Sequence, residues 1–279
     1  MNRLRIYLRE RFPLLPTALH ALSTGALLVG VSAARSSERL WVALCIAVCF
    51  FFFMLRMRVT DEFKDAGHDD AHYPDRPVQR GVIFKRDLVV IGIVALILEF
   101  AGAVLAGVAA SNSLVWVWYL PVFGYSILTG REFFVPAYLE RHFNLYFVVH
   151  QAIFVLWLVW AFSIFEEPVN LSGFGAAIAF FLLMISMEIV RKYEIRRNPA
   201  GEVVQDTYLA VWGHGAFWVL VTNLVFSSVL LYLGGSSWLV LAVGGLFLTA
   251  MFILRRRDST VRALAAASFL LTSFVVLFS

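Results

Sequence analysis

Residues 60–81 read TDEFKDAGHDDAHYPDRPVQRG and lie between two long apolar segments. The stretch holds six of the nineteen acidic residues in the chain. If the preceding helix continues, Asp61, Asp65 and Asp69 recur every four residues and form a ladder of carboxylates on one helical face. Glu62 lies beside the ladder and adds to the repulsion, which a divalent cation would relieve. Carboxylate oxygens suit Mg²⁺, which one or two carboxylates commonly hold together with phosphate oxygens of a substrate.

A simpler interpretation is also open for this stretch. An acidic loop in water can be balanced by neighbouring bases, which here are Lys64, Arg76 and Arg80. In that case, the carboxylates serve solubility and bind no metal.

The composition indicates a polytopic membrane protein. The chain is 61% hydrophobic and 15% charged, and its mean hydropathy is +0.80, so lipid rather than water surrounds most of it. The first apolar run lacks a small-residue cleavage site and is expected to be a retained helix. Runs long enough to span a bilayer, at roughly 20 residues each, predict nine helices at residues 14–34, 40–57, 88–109, 114–129, 145–165, 172–190, 208–232, 236–254 and 262–278.

The bases predict the orientation of these spans. Twenty-one of the 23 Lys and Arg residues fall on the side of the N-terminus, and only Arg35 and Arg39 fall on the other. Because cytoplasmic loops are enriched in Lys and Arg, we expect a cytoplasmic N-terminus and a C-terminus outside, in a cell membrane. The net charge of +4 then reflects topology and contact with anionic membrane lipids, and it does not indicate nucleic acid.

Two further connections on the cytoplasmic side carry candidate residues. Arg131 follows the fourth apolar run, where it either snorkels to the lipid headgroups or points inward as a phosphate donor. Glu188 and Lys192 are four residues apart at the end of the sixth run, and they are either a local ion pair or part of a phosphate site. Arg191 adds a base next to them.

The acidic stretch resembles the first motif of the UbiA superfamily of intramembrane prenyltransferases. That motif reads N-D-x-x-D-x-x-x-D and is followed by R-P-[LIV]-x-x-G. Asp61 stands in the place of the Asn and Glu62 in that of the first Asp, while Asp65 and Asp69 match the other two. Residues 76–81, RPVQRG, match the second element.

The second acidic motif of the superfamily is only partly present. Glu188 is the acid that matches after the sixth run, where Arg191 and Lys192 occupy positions near the expected Asp residues. The tail T-L-P-x-x-x-G of that motif resembles residues 207–213, TYLAVWG. The position of Arg131 resembles that of a base that contacts diphosphate.

The resemblance covers the whole chain and implies an all-α bundle of nine membrane helices, with residues 1–279 as a single prenyltransferase-like domain. It implies Mg²⁺-dependent transfer of a prenyl group from an isoprenyl diphosphate to a lipophilic or aromatic acceptor, as in isoprenoid biosynthesis, with release of pyrophosphate. The expected catalytic residues are Asp61, Asp65, Asp69 and Glu188. The same four and Glu62 are the expected metal ligands, and the expected substrate-binding residues are Arg76, Arg131, Arg191, Lys192 and His150.

Aromatic faces beside the acidic segments would stabilise an allylic cation. Phe134, Tyr138, Tyr146 and Trp212 are candidates by position only, because most rings in such a chain serve packing or the interfacial belt.

Polar groups within the spans bear on the type of reaction. Glu99 lies in the middle of the third run, where a protonated carboxyl that hydrogen-bonds across a helix interface is the simplest interpretation. His150, Gln151 and Asn223 would orient an acceptor, which favours a transferase. A cyclase that forms a terpene without any acceptor is the alternative, and a membrane transporter with an acidic binding site is a third.

Overall fold

The computed structural model describes residues 3–32, 38–112, 114–165, 171–255 and 258–279, which are almost entirely helical. The first half contains α1 (Arg3–Arg11), α2 (Leu14–Val31), α3 (Arg39–Lys64), α4 (Ala66–His72), α5 (Lys85–Ala109), α6 (Val115–Gly130), α7 (Pro136–Arg141), α8 (Phe143–Gln151) and α9 (Ile153–Phe165). The second contains α10 (Leu171–Arg191), β1 (Arg196–Arg197), β2 (Val203–Val204), α11 (Tyr208–Trp212), α12 (Gly215–Leu233), α13 (Leu239–Leu254) and α14 (Asp258–Phe278).

Within the described ranges, seven helices are long and apolar enough to cross a membrane. They are Leu14–Val31, Arg39–Lys64, Lys85–Ala109, Phe143–Phe165, Gly173–Arg191, Gly215–Leu233 and Asp258–Phe278. Two shorter apolar helices, Val115–Gly130 and Leu239–Leu254, coincide with the fourth and eighth predicted spans. A polytopic membrane protein is therefore confirmed, while the number nine and the orientation stay predictions. The bases Arg35, Arg256 and Arg257, used for the orientation, lie outside the described residues.

Two predicted spans differ from the observed helices. One long helix starts later than predicted, and one span is divided into two helices. The seventh was expected from residue 208, but Thr207 caps the short helix α11, and Gly213 then turns the chain at a φ of 53°. Glycine tolerates this left-handed conformation, so the long helix α12 starts only at Gly215. The fifth span, expected over residues 145–165, consists of α8 and α9 with a break at Ala152.

The contacts divide the chain into two compact units, and the prediction of a single domain stays a prediction. The first unit comprises Met1–Gly25 and Ser36–Glu166, and the second comprises Ala26–Arg35 and Glu167–Ser279. In the second unit, α12 packs against α10 and α13. At one crossing, a Cβ on Gly244 would collide with Ser228, so glycine permits the close approach of α13 to α12.

The first unit is built on the pair α3 and α5. A Cβ on Gly102 would lie 2.6 Å from the backbone nitrogen of Cys49, so the small residue lets the two helices touch. Trp157 of α9 packs edge-on against Phe50, Phe53 and Tyr119 at centroid distances of 5.1–5.5 Å. These buried rings join α3, α6 and α9.

An ion pair lies inside the apolar part of the first unit. The Arg56 guanidinium donates to both carboxylate oxygens of Glu99, with Nε 2.6 Å and Nη2 2.8 Å away, and the Tyr119 hydroxyl donates to Oε1 at 2.7 Å. Glu99 thus bonds across helix interfaces as expected, and its main partner is the Arg56 guanidinium. Arg56 lies within the predicted span of residues 40–57, and α3 continues for about two turns beyond the predicted end of that span.

Candidate functional site

The four acids of the first motif do not form one ladder. Asp61 and Asp65 are partly exposed, whereas Glu62 and Asp69 are buried. Helical geometry explains the division, since Asp61 and Glu62 point about 100° apart, whereas the seven residues from Glu62 to Asp69 bring the direction back to within about 20°. Glu62 and Asp69 therefore share a direction that Asp61 and Asp65 do not, and the prediction of a single carboxylate face is wrong.

Asp61 and Asp65 surround the last residue of α3. The Lys64 ammonium lies 3.7 Å from Asp61 Oδ1, 3.7 Å from Asp65 Oδ1 and 3.6 Å from Glu132 Oε1. It also donates to the Tyr146 hydroxyl at 3.3 Å. We call these five residues the Lys64 cluster. It brings three carboxylates from two distant parts of the sequence to one ammonium.

Glu132 reaches this place through an unusual turn after α6. Glu132, Phe133 and Phe134 have φ of 48°, 52° and 61°, in the left-handed region that non-glycine residues rarely adopt. A Cβ on Gly130 would lie 2.8 Å from Thr60 Cγ2, so the end of α6 touches α3 one residue before Asp61. Consecutive strained residues persist only where the surrounding packing fixes them.

The packing around this turn is aromatic. Phe133 contacts Tyr125 and His150 edge-on at centroid distances of 5.4 and 5.8 Å. The His150 ring in turn stacks on Tyr146 at 3.9 Å, and its Nδ1 lies 2.8 Å from the Tyr146 carbonyl oxygen. The predicted substrate-binding residue His150 therefore stacks directly on a member of the Lys64 cluster. Tyr146, one of the rings proposed to stabilise a cation, belongs to the cluster itself.

Glu62 and Asp69 form a second, buried cluster with bases. Arg11 of α1 donates from Nε to Glu62 Oε1 at 2.7 Å, and its Nη2 lies 3.6 Å from Asp69 Oδ2. Arg76 pairs with the other oxygen of Asp69 and stacks over the Tyr73 ring, 3.9 Å from its centroid. We call Arg11, Glu62, Asp69 and Arg76 the Arg11 cluster. Its two carboxylates are neutralised by arginines from within the chain.

Helix α1 is anchored beside this cluster by burial. Tyr7 is fully buried among Val59, Ile83 and Leu88. Burial, and then the negative charge of Glu62, raise the pKa of the Tyr7 hydroxyl well above its usual value. The ring therefore stays neutral at physiological pH. Arg11 lies one turn later on α1 and contacts Glu62.

Arg58 connects the two clusters of the first unit. Its Nη2 donates to Asp61 Oδ2 at 3.3 Å, and its Nε lies 3.9 Å from Glu62 Oε1. The end of α3 is thus one continuous charged network with alternating signs.

The second motif lies in the second unit. Arg191 donates from Nε and Nη2 to Glu188 at 2.9 and 2.8 Å, and the Tyr208 hydroxyl donates to Glu188 Oε1 at 3.2 Å. We call Glu188, Arg191 and Tyr208 the Glu188 cluster. Lys192 is half-buried next to it, so the predicted acid and both predicted bases lie at one helix end.

The rest of that connection holds itself together with ion pairs. Glu194 binds Arg196 at 2.6 Å and Arg262 at 2.7 Å, and Arg196 also lies 3.5 Å from Asp206. Burial and the nearby Asp258 raise the pKa of Tyr193 to about 12. Arg196 is thus engaged in these structural pairs.

Other predicted residues lie near the surface. Arg131 is exposed at the end of α6, and Phe134 and Tyr138 are 72% and 54% exposed. Trp212 packs on Tyr208 in the second unit, at a centroid distance of 4.9 Å. The roles proposed for these residues stay predictions.

The Lys64 cluster has the oxygen donors of a hard-cation site but not the spacing of one. Three carboxylates converge on a single positive charge, and carboxylate oxygens are the ligands that Mg²⁺ prefers. Over the residues that the structure describes, no three His, Cys, Asp or Glu side chains stand close enough to hold a metal ion as they are. Metal ligation would require the oxygens to move from 3.6–3.7 Å around Lys64 to about 2.1 Å around the ion.

Sequence reasoning missed three contributors to these clusters. Arg11 was considered only as a topological charge and Lys64 only as a counter-ion in an acidic loop, and Glu132 was not considered. The helical angle between Glu62 and Asp69 would have signalled their common face. Nothing in the spacing of residues 11 and 132 indicates their partners, since these contacts are long-range.

Comparison with known proteins supports the fold. No protein-family model matches the chain, and no curated protein sequence does either. A solved structure of digeranylgeranylglyceryl phosphate synthase, studied in membranes, is similar over 100% of this chain and 97% of that chain, with a TM-score of 0.50 and 15% sequence identity. At this identity the likeness concerns the fold, which is thus shared with a membrane enzyme over its whole length.

Proposed function

We propose that the protein is a membrane prenyltransferase that moves a prenyl group from an isoprenyl diphosphate to a lipophilic or aromatic acceptor. One observation carries the proposal: three carboxylates converge with a lysine and aromatic rings at the end of a membrane helix. The likeness of the whole chain to a synthase fold supports it. A prenyl diphosphate has the matching character, with a charged head for the clusters and an apolar tail for the helices.

The diphosphate head would be bound at the Lys64 cluster. Asp61, Asp65 and Glu132 would hold Mg²⁺, which when bound neutralises the charge that develops on the departing pyrophosphate. Arg131 is proposed to contact the remaining phosphate oxygens as a donor, and Lys192 is proposed as a phosphate donor within the second unit. Glu62 and Asp69, proposed from the sequence as metal ligands, are better suited to positioning, because Arg11 and Arg76 already neutralise them.

The reaction balances without any redox partner. The bond between C1 of the prenyl chain and the diphosphate oxygen breaks, and its electron pair leaves with pyrophosphate. An electron pair of the acceptor then forms the new bond to C1, and the acceptor loses a proton. In this proposal the Tyr146 ring stabilises the allylic cation, and His150, which stacks on that ring, takes the proton.

A terpene cyclase is the alternative, with the same ionisation and no acceptor. The apolar character of the spans favours it, because a cyclase must keep water from the cation. In that reaction, a double bond of the same chain supplies the electron pair that forms the new bond.

The test is a mass-spectrometric screen of the purified chain. Geranyl, farnesyl and geranylgeranyl diphosphate are each incubated with Mg²⁺, with and without a membrane lipid extract. We expect a prenylated lipid, with pyrophosphate released in equal amount, only when the extract is present. A cyclic hydrocarbon or alcohol in the absence of extract would replace the transferase by the cyclase, and no pyrophosphate with any substrate would refute both.

A further inference from the structure

Two arginines from different helices lie over one exposed ring at the start of α5. The guanidinium carbon of Arg3 is 4.8 Å from the centroid of the Phe84 ring, and that of Arg86 is 5.3 Å from the same centroid. The ring itself is 40% exposed. Because Arg3 belongs to α1 and Arg86 to α5, two helices of the first unit bring their positive charges to one place on the surface.

These charges point away from the acids of the protein. Among the residues that the structure describes, Arg3 forms no ion pair with a carboxylate. Arg86 lies 3.9 Å from Asp87 Oδ1, and 80% of its side chain is exposed. The other oxygen of Asp87 accepts the backbone N–H of Phe84 at 3.2 Å. Lys85 is exposed as well, so three bases outnumber one acid and the surface around Phe84 is positive.

An exposed apolar stripe begins one turn after Arg86. Val90, Ile93 and Ile97 follow it by four, seven and eleven residues, which places all of them on the helical face of Arg86. They are 61%, 53% and 62% exposed, and we call these three residues the α5 stripe. Since α5 is long and apolar enough to cross a membrane, lipid chains cover the stripe, and Arg86 lies at its end near the membrane surface.

An anionic phospholipid matches both parts of this surface. Guanidinium groups donate strong charge-assisted hydrogen bonds to phosphate, and bases at a membrane surface attract anionic lipids. A shallow cavity of about 370 Å³ lies against Phe84 and Arg86, which gives the phosphate a recess beside the ring. A soluble phosphate compound would use the arginines but would leave the α5 stripe without a role.

We propose that an anionic phospholipid binds at the start of α5, with its phosphate between Arg3 and Arg86 and an acyl chain along the α5 stripe. The phosphate then joins α1 to α5. Tyr7 of α1 is buried next to the same end of α5, and Arg11, at the end of α1, pairs with Glu62. The lipid therefore stabilises the docking of α1 and, through it, the Arg11 cluster.

The test is thermal unfolding of the purified full-length chain in a non-ionic detergent, titrated with phosphatidylglycerol or with phosphatidylcholine. A ligand that binds the folded state raises the unfolding temperature as its concentration passes the dissociation constant. We expect phosphatidylglycerol to stabilise the wild type, and we expect the double variant Arg3→Gln/Arg86→Gln to need about tenfold more of it for the same gain. Phosphatidylcholine, which has no net charge, should affect both chains equally.

The matched control is the double variant Arg9→Gln/Arg141→Gln. It also removes two exposed arginines but leaves the surroundings of Phe84 unchanged, so its response to phosphatidylglycerol should equal that of the wild type. Native mass spectrometry of the same samples counts the bound lipids. The wild type and the control should each retain one more phosphatidylglycerol than Arg3→Gln/Arg86→Gln.

Glycerol phosphate distinguishes a lipid from a soluble phosphate compound, because it has the headgroup phosphate and no acyl chain. It should not stabilise the wild type at concentrations at which phosphatidylglycerol does. Stabilisation by glycerol phosphate that is lost in Arg3→Gln/Arg86→Gln would replace the lipid by a soluble ligand and overturn the proposal.

The site itself would be refuted by an equal response to phosphatidylglycerol in the wild type and in Arg3→Gln/Arg86→Gln, or by a control that loses as much as that variant. If the double variant does not fold, Arg86→Gln alone decides, because this side chain is mostly in solvent. It should need about threefold more phosphatidylglycerol than the wild type, and an unchanged requirement would overturn the role of Arg86.

Discussion

The Arg11 cluster of the first unit and the Glu188 cluster of the second neutralise a glutamate in different ways. Glu62 is buried, and its partner Arg11 is 51 residues away in the sequence. Glu188 pairs with Arg191, three residues later on the same helix, and 45% of the arginine side chain is exposed. One contact depends on the docking of α1, and the other needs only the helix that carries both residues.

Glu62 therefore takes part in tertiary structure, whereas Glu188 pairs mainly within its own helix. A buried charge that loses its partner is costly, because neither water nor another ion replaces it. A pair within one helix whose arginine is half-exposed contributes less, because water solvates the arginine and the Tyr208 hydroxyl still bonds the glutamate position. The first motif therefore combines structural acids with accessible ones, while the acid of the second motif has accessible bases around it.

The largest expected effect is on stability in the Arg11 cluster. Glu62→Gln removes the buried carboxylate that both Arg11 and Arg58 contact, and we expect the free energy of unfolding to fall by about 3 kcal/mol. The matched change Glu188→Gln should cost about 1 kcal/mol or less. Thermal unfolding in detergent, followed by circular dichroism, measures both.

Equal losses in these two variants would remove the distinction between the clusters. Arg11→Gln provides a check from the other side of the pair, since it should destabilise the chain about as much as Glu62→Gln. If Arg11→Gln has no effect on unfolding, α1 does not depend on this contact for its position.

The next effect is on turnover in the Lys64 cluster. Asp65→Asn keeps the shape of the side chain but removes the charge of a proposed metal ligand, so we expect activity to fall about a hundredfold with stability nearly unchanged. Asp70→Asn is the matched control, because Asp70 is exposed on α4. Initial rates of pyrophosphate release at excess Mg²⁺ measure the difference. Activity above about a tenth of the wild type in Asp65→Asn would contradict a catalytic role for this carboxylate.

The smallest effect concerns the bases of the second unit. If Lys192 takes over charge neutralisation from the acids that the second motif lacks, Lys192→Ala should raise the KM for the prenyl diphosphate about tenfold. Additional Mg²⁺ should recover little of this loss, because the missing contact is direct. Lys85→Ala should leave KM unchanged. Full recovery by Mg²⁺ would show that the second unit binds diphosphate through metal and not through its bases.

Much of the fold could be predicted from the sequence because membrane helices have a strong local signal. Apolar runs mark the long helices within a few residues, as for α5, predicted at residues 88–109 and observed at Lys85–Ala109. Short-range breaks were harder, since Gly213 and Ala152 interrupt predicted spans that are mostly apolar on either side. The acidic stretch and its resemblance located the end of α3 as the place of interest, but they did not predict that the motif divides.

By itself, the sequence determined the membrane class, most helix boundaries and the concentration of charge at residues 60–81. These properties depend on hydropathy and on spacings of a few residues, which act within one helix. Only the tertiary structure decided that Arg11 binds Glu62, that Glu132 joins Asp61 and Asp65 around Lys64, and that Arg56 is buried against Glu99. Each of these contacts joins residues more than 40 positions apart. Helix packing decides which charged groups meet, as where Gly130 approaches Thr60.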